Sequence, residues 1–277
     1  MGMVVQHNMT AMNSNRQLGV TTSQQAKSSE KLSSGYQINR AADDAAGLSI
    51  SEKMRRQVRG LTQAVKNAQD GISAVQTAEG ALGEVQDMLQ RMNELADKAA
   101  NDTLQSVDRK YIQNEIDALV TEIDRVKQST TFNEQSLLNG DFIGKQLQVG
   151  SENRGSQLIA INISDLSASK ILGTNSLQVT GTDGSTARGA IDSIKYAIQS
   201  ISTQRSDLGA VQNRLEHTIN NLNNVVENTT SAESAIRDTD MASEMVRYSN
   251  NNILAQAGQS MLAQANQSNQ GVLSLLG

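Results

Sequence analysis

The sequence contains no proline, no cysteine and no tryptophan, and only 2% of its 277 residues are aromatic. Without proline, helices run free of the residue that most often kinks or ends them. Without cysteine there is no disulfide framework, no thiolate metal site and no cysteine nucleophile, and thiol usage records no redox compartment. Two Phe and four Tyr cannot dominate a core. Burial must instead be spread over many small aliphatic contacts, which suits long, thin helical packing. No dense basic run occurs, and 24 basic residues stand against 29 acidic ones for a net charge of -5. Nucleic acid is therefore not expected as a partner. No apolar run reaches the roughly 18 residues of a membrane span, so membrane insertion is not expected. Met1 to Val20 lacks the charged start, apolar stretch and cleavage site of a signal peptide, which argues against the general secretory route. Gln6 stands where myristoylation of Gly2 would need Ser or Thr.

What is present is periodic. Met54, Val58, Leu61, Val65, Ala68, Ile72, Val75, Ala78, Leu82, Val85, Leu89, Met92, Ala96 and Ala99 recur every ~3.5 residues, the spacing of a coiled-coil-like stripe. A helix from Leu48 to Ala100 would be roughly 80 Å long at ~1.5 Å per residue, and it needs partner helices along its length. Ile112, Ile116, Leu119, Ile123 and Val126 repeat the spacing after the polar turn Asn101 to Ser106, which predicts an antiparallel helical hairpin. A third stripe runs through Ile191, Ile194, Ile198, Ile201, Leu208, Val211, Leu215, Leu222, Val225, Thr229, Ala232 and Ile236. Between them the period switches to two, at Leu147 and Val149 and then Ile159, Ile161 and Ile163, which predicts a small β-hairpin near residues 145–163. Residues 166–187 are rich in Ser, Thr and Gly and are expected to form a short, exposed, variable tip.

The fold expected is mainly α: an elongated, antiparallel, coiled-coil-like bundle with paired termini. Residues 1–42 with 243–277 form terminal segments, and 43–165 with 188–242 form the helical core. Apolar residues at the ends, Met12, Leu18, Leu32, Leu254, Met261, Leu262, Leu273, Leu275 and Leu276, sit at helical spacing among Asn, Gln and Ser. Faces this narrow are weak in an isolated chain and are expected to order against copies of themselves.

No constellation for catalysis stands out. Asp43 and Asp44 are adjacent helical residues about 100° apart, which suits helix-start charges better than an acid/base pair. His7 and His217 belong to no HExxH motif, and no GxxxxGK[ST] loop occurs. Asp238, Asp240 and Glu244 read as solvated charge at a helix boundary. The ten methionines read as packing filler on the apolar stripes. No cofactor or metal is expected, and an enzyme is disfavoured.

Three stretches carry a resemblance: Asn13-Ser-Asn-Arg-Gln-Leu18; Ser33-Ser-Gly-Tyr-Gln-Ile-Asn-Arg-Ala-Ala-Asp-Asp-Ala-Ala-Gly-Leu-Ser-Ile50; and Arg237-Asp-Thr-Asp-Met-Ala-Ser-Glu244. With Ser136-Leu-Leu-Asn-Gly140, Leu208-Gly-Ala-Val-Gln-Asn-Arg-Leu215 and Val272-Leu-Ser-Leu-Leu276, these resemble bacterial flagellin. The resemblance implies a structural subunit, secreted by the flagellar type III apparatus, that polymerises into the extracellular flagellar filament for swimming. It implies a short form, with terminal segments lining the inner tube and three long helices forming the outer wall. The implied partners are further copies of the chain, a flagellin export chaperone, and the filament cap and hook-junction proteins. Asn269 stands near the place of the family's usual proline, and Gly277 where a basic residue is common.

By resemblance, Gln90, Arg91, Glu94, Leu95 and Glu115 form the patch recognised by a host Toll-like receptor of innate immunity. Asn93 replaces a frequent Arg there, and Asp97-Lys98 replaces an apolar-Gln pair. Read without the family, Leu95 flanks the helix seam and Arg91 and Glu115 are ordinary surface contacts. Two other roles stay open: a hook-filament junction protein, which would form limited oligomers, and a secreted receptor ligand or adhesin, which would act as a monomer.

Overall fold

The computed structural model describes residues 8–173, 177–181 and 184–276, with backbone alone over 269–276. The described chain is mainly helical, as the apolar periods require. Helices α1 (Met9–Ser34), α2 (Ala45–Ala99) and α3 (Ser106–Ser129) precede four short strands, β1 (Thr131–Phe132), β2 (Gln135–Ser136), β3 (Lys145–Gln148) and β4 (Leu158–Ile161). Helices α4 (Ala168–Ile171), α5 (Ser185–Arg237) and α6 (Met241–Leu276) complete the order. Packing divides the chain into two compact units, Met1–Arg56 with Asn228–Gly277, and Gln57–Glu227.

In the unit Gln57–Glu227, the three sequence stripes form one core. Val75, Leu82, Val85, Leu89, Met92 and Ala99 of α2 are buried against Ile112, Ile116 and Ile123 of α3 and Ile194, Ile201 and Leu208 of α5. Further along, Ala68 packs with Leu215, and Leu61 and Ala64 with Leu222. The short 100–105 connection makes α3 antiparallel to α2. Helix α5 is antiparallel too: Asp102 of the α2–α3 turn pairs with Arg188, and Glu79 with Arg205.

The expected hairpin forms, with Lys145 opposite Ile161 and Gln148 opposite Leu158. A second, smaller hairpin was not anticipated: Thr131 pairs with Ser136 and Phe132 with Gln135. Its two-residue loop has φ 49° at Asn133 and 64° at Glu134. Positive φ at both central residues matches the twist of adjoining strands. Glu at such a position explains why turn chemistry alone gave no signal, since the usual residue there is Gly.

Within the expected tip 166–187, the described residues do not form an exposed tip. Leu166, Ala168, Leu172, Leu177, Val179 and Ala187 are buried in the main core. Gln113 of α3 holds this segment like a strand partner: its Oε1 accepts from Val179 N at 2.7 Å, and its Nε2 donates to Leu177 O at 2.8 Å. Asp124 Oδ1 accepts from Ala168 N at 3.1 Å, and Asp102 Oδ1 from Gly184 N at 2.9 Å. A Ser/Thr-rich composition misled because the few apolar residues in the segment all point inward, while the helices provide the polar partners its backbone needs. Thr174, Asn175, Ser176, Thr182 and Asp183 of the expected tip lie outside the described residues.

The described methionines divide differently from the packing-filler expectation, Met1 and Met3 lying outside the described residues. Met92 is fully buried, whereas Met9, Met12, Met241, Met245 and Met261 are exposed.

Candidate functional site

Two surfaces have the geometry of interaction sites. The first lies in the unit Met1–Arg56 with Asn228–Gly277, where α1 and α6 pack side by side. They run antiparallel. At one end Asn8 Nδ2 donates to Ala265 O at 2.9 Å, and midway Leu18 approaches Gly258. At the other end a small clip joins the linkers: Gln37 N donates to Arg237 O at 2.7 Å, and Thr239 N to Gly35 O at 2.9 Å.

Side-chain caps fix where these helices begin, and a left-handed glycine fixes where α1 ends. Asn8 Oδ1 accepts from Ala11 N at the start of α1, and Gly35, at φ 76°, ends it in the left-handed conformation. Asp44 Oδ1 accepts from the backbone N–H groups of Ala46 and Gly47 at the start of α2. Asp240 Oδ1 does the same for Ala242 and Ser243 at the start of α6. Asp43 turns back instead, accepting from Asn39 N and Arg40 N. The Arg40 amide is the main cause of its lowered pKa, helped by Asn39, Lys27 and Lys31. These carboxylates serve caps and turns, with no shared reacting centre.

The less exposed positions of α1 include Ala11, Ser14, Leu18, Thr21, Gln25, Ser28 and Leu32, with Glu30 and Lys31 beside them; those of α6 include Glu244, Tyr248, Asn251, Ala255, Gly258, Leu262 and Ala265, with Asn252 beside them. The seven positions named first in each helix alternate steps of three and four, the spacing of a coiled-coil seam. Most of the residues are small or polar, and Ser28 is buried. Glu244 is buried as well, at 5% exposure, with Arg247 at 3.5 Å. It is therefore a seam residue and not the solvated boundary charge expected from sequence; its position after the capping Asp240 turns it inward.

The bulky apolar residues lie mostly outside this seam. Met12, Leu254 and Met261, named from sequence, are exposed at 63%, 57% and 61%, and Met9, Val20 and Ile253 are exposed with them. Leu18, Leu32 and Leu262 are half-buried. The side chains of Leu273, Leu275 and Leu276 lie outside the described residues. The pair thus presents most of its bulky apolar side chains outward, and its seam holds Leu18, Leu32 and Leu262 among mainly small and polar residues, unlike a self-sufficient bundle. Periodicity in Ala, Ser, Thr and Gly could have revealed the seam, but it is hidden when only large apolar residues are scored.

The second surface lies in the unit Gln57–Glu227, across α2 and α3. Arg91 Nη2 meets Glu115 Oε1 at 2.9 Å, and its Nη1 meets Glu94 Oε2 at 3.1 Å. Hydrogen bonding to Glu115 first, and Glu94 second, raises the Arg91 pKa further. Arg91, Glu94 and Glu115 line a groove of about 510 Å³ with Leu95, Tyr111 and Ile112. Gln90 is exposed beside it. Leu95 is only 4% exposed, so its side chain belongs to the core while bordering the groove. Tyr111, 69% exposed, was missed in sequence because a lone Tyr breaks no period.

Arg109 was also missed. It is 1% exposed, and its guanidinium donates to Ala99 O at 3.0 Å, Asn101 O at 3.1 Å and Gly181 O at 3.2 Å. It closes the C-terminal end of α2, where free carbonyls and the helix dipole favour a cation. Among the described residues, no cluster of three His, Cys, Asp or Glu could hold a metal, and no helix is long and apolar enough to cross a membrane.

The family model described as the bacterial flagellin N-terminal helical region matches residues 5–142, and that of the bacterial flagellin C-terminal helical region matches 191–276. The chain belongs to the bacterial flagellin family. It is 52% identical to a flagellin of Halalkalibacterium halodurans and 47% identical to one of Bacillus subtilis, each match covering 99% of this chain and 100% of the relative. Among solved structures, the Bacillus cereus flagellin aligns with 57% of this chain and 88% of its own at 31% identity, with a TM-score of 0.49. Flagellins are structural proteins. This flagellin chain is accordingly a flagellar filament subunit and not an enzyme.

Proposed function

We propose that the chain enters the filament by coupled folding and association of its terminal helices, with the outer faces of α1 and α6 as the polymerisation surface. The supporting observation is the inverted pair: small and polar residues in the seam, with Met9, Met12, Val20, Ile253, Leu254 and Met261 outside. Such a seam removes little apolar area from water, whereas each bulky side chain covered by a neighbouring subunit contributes about 1.5–3 kcal/mol. Ordering the helices is unfavourable alone and favourable in the polymer. On this reading residues 1–42 and 243–277 line the inner tube, and 43–165 with 188–242 build the outer wall.

The same exposed face requires escorts before assembly. In this account an export chaperone covers α6, the flagellar type III apparatus secretes the chain, and the cap and hook-junction proteins receive it outside the cell. Negative-stain electron microscopy before and after seeding tests the reading, alongside a chain lacking residues 1–40 and 243–277. Long filaments from the full chain alone support it. A full chain that stays as short rings or monomers favours a junction protein or a soluble ligand.

The groove at Arg91 favours a second role, as the docking patch for the host Toll-like receptor that recognises flagellin. Arg91 is preset by Glu94 and Glu115 over a partly apolar groove, so little side-chain ordering is left to occur on binding. In a receptor reporter assay Arg91→Ala lowers potency about tenfold on this account. Unchanged potency removes the patch from the interface.

A further inference from the structure

We propose that the exposed methionines of the terminal helices are an oxidative modification site, at which conversion to the sulfoxide blocks assembly of the free subunit. This inference rests on the reading of the α1 and α6 outer faces as the polymerisation surface.

The methionines among the described residues fall into two groups. Met92 is at 0% exposure in the core of α2, and Met54 and Met88 are half-buried on the same helix. Met9, Met12, Met241, Met245 and Met261 are exposed at 68%, 63%, 47%, 57% and 61%. Every exposed methionine among the described residues is therefore on α1 or α6. A thioether is flexible and apolar, well suited to filling an irregular contact with another subunit. It is also a nucleophile that Leu, Ile and Val side chains are not.

The co-reactant is hydrogen peroxide. The methionine sulfur attacks one peroxide oxygen; an S–O bond forms as the O–O bond breaks, and the sulfur gives up two electrons. The departing hydroxide takes up the proton left on the transferred oxygen, and one water is released. The sulfoxide is polar, and burying it without a donor carries the desolvation cost of an unpaired acceptor. Oxidation thus converts an apolar contact surface into one that resists burial. Once subunits cover one another, the same sulfurs are shielded, so the free chain is the sensitive state.

The test compares the full chain with a variant carrying Met9→Leu, Met12→Leu, Met241→Leu, Met245→Leu and Met261→Leu. Each is treated with peroxide, quenched and then added to seeds. Peptide mass spectrometry locates the gain of about 16 Da per sulfoxide. The native chain is expected to oxidise at the five exposed positions before Met92 and to lose seeded growth at least tenfold. Methionine sulfoxide reductase restores that growth, and preformed filaments oxidise at least tenfold more slowly than the free chain. The Leu variant grows equally with and without treatment. If the untreated native chain does not grow, the polymerisation reading fails and takes this proposal with it. If it grows, two results overturn the proposal alone: unchanged growth after the five positions are oxidised, or equal inhibition of the Leu variant.

Discussion

The guanidinium of Arg237 lies over the ring of Tyr36, 4.7 Å from its centroid, while Nη1 donates to Glu52 at 2.7 Å. Tyr36 also bridges Asp238 through the backbone, so the linker that follows α1 is tied to the one that leads into α6. Arg237 is the last residue of α5, where a cation also meets the free carbonyl end. Cation–π contact and ion pairing at a partly covered site are each worth about 1 kcal/mol. Arg237→Ala should therefore weaken the clip by about 1–2 kcal/mol. Hydrogen exchange at Gln37 and Thr239, whose amides donate within the clip, should accelerate roughly tenfold, with core amides of the Gln57–Glu227 unit unchanged.

Arg109 carries a larger stability effect. Arg109→Met keeps much of the volume but leaves the carbonyls of Ala99 and Gly181 without the Arg109 donor, and Asn101 O with Leu104 N alone at 3.3 Å. Stranding buried polar groups costs about 1–3 kcal/mol each, and partial relaxation brings the expected loss to about 3 kcal/mol. Denaturant unfolding followed by circular dichroism measures it. A loss under 1 kcal/mol would mean that other donors reach those carbonyls.

Two glycines of α2 should respond in opposite directions. A Cβ at Gly71 would lie 2.1 Å from Leu147 Cδ1, so Gly71→Ala forces Leu147 of β3 to move and should cost about 1–2 kcal/mol. Gly80 is exposed on the same helix with nothing within 4 Å of an added Cβ. Gly80→Ala should stabilise by about 0.5–1 kcal/mol through helix propensity. Thermal unfolding of the two variants gives the signs directly.

The core was legible in the sequence because large apolar residues at spacings of three and four, such as Leu82, Leu89 and Met92, have one physical outcome in a proline-free chain. Gln113 and Arg109 were not legible. Their roles depend on backbone atoms of residues 99–101 and 177–181, which only tertiary structure brings near. At the candidate surfaces, Met12, Leu254 and Met261 were visible as apolar residues, but their outward orientation was not. That orientation follows from Ser28, Ala255 and Gly258 occupying the seam and permitting close helix approach, a pattern a hydrophobicity count overlooks.

Asp165 links pH to the packing of residues 164–168. Burial pushes its carboxyl up, but the Ser167 amide and hydroxyl and the charge of Lys127, whose Nζ is 3.4 Å away, outweigh that and hold the pKa below the usual carboxylate value. A folded pKa below the unfolded one means that the contribution is present above the ordinary range, near pH 4, and is lost as pH falls through the lowered value. Exchange at Ser167 N, which donates to Asp165 Oδ1, should therefore lose protection on acidification relative to its intrinsic rate. Asp165→Asn should flatten that dependence.

Seeded elongation of a chain carrying Ile253→Gln and Leu254→Gln tests the polymerisation account most directly. Both side chains are exposed, at 62% and 57%, so the free chain should keep its helix content and melting temperature. Covering each on a neighbour contributes about 1.5–3 kcal/mol, and 1.4 kcal/mol is tenfold. The account predicts that the critical concentration rises at least a hundredfold in this variant. Elongation at the native rate, from a normally folded chain, would contradict it.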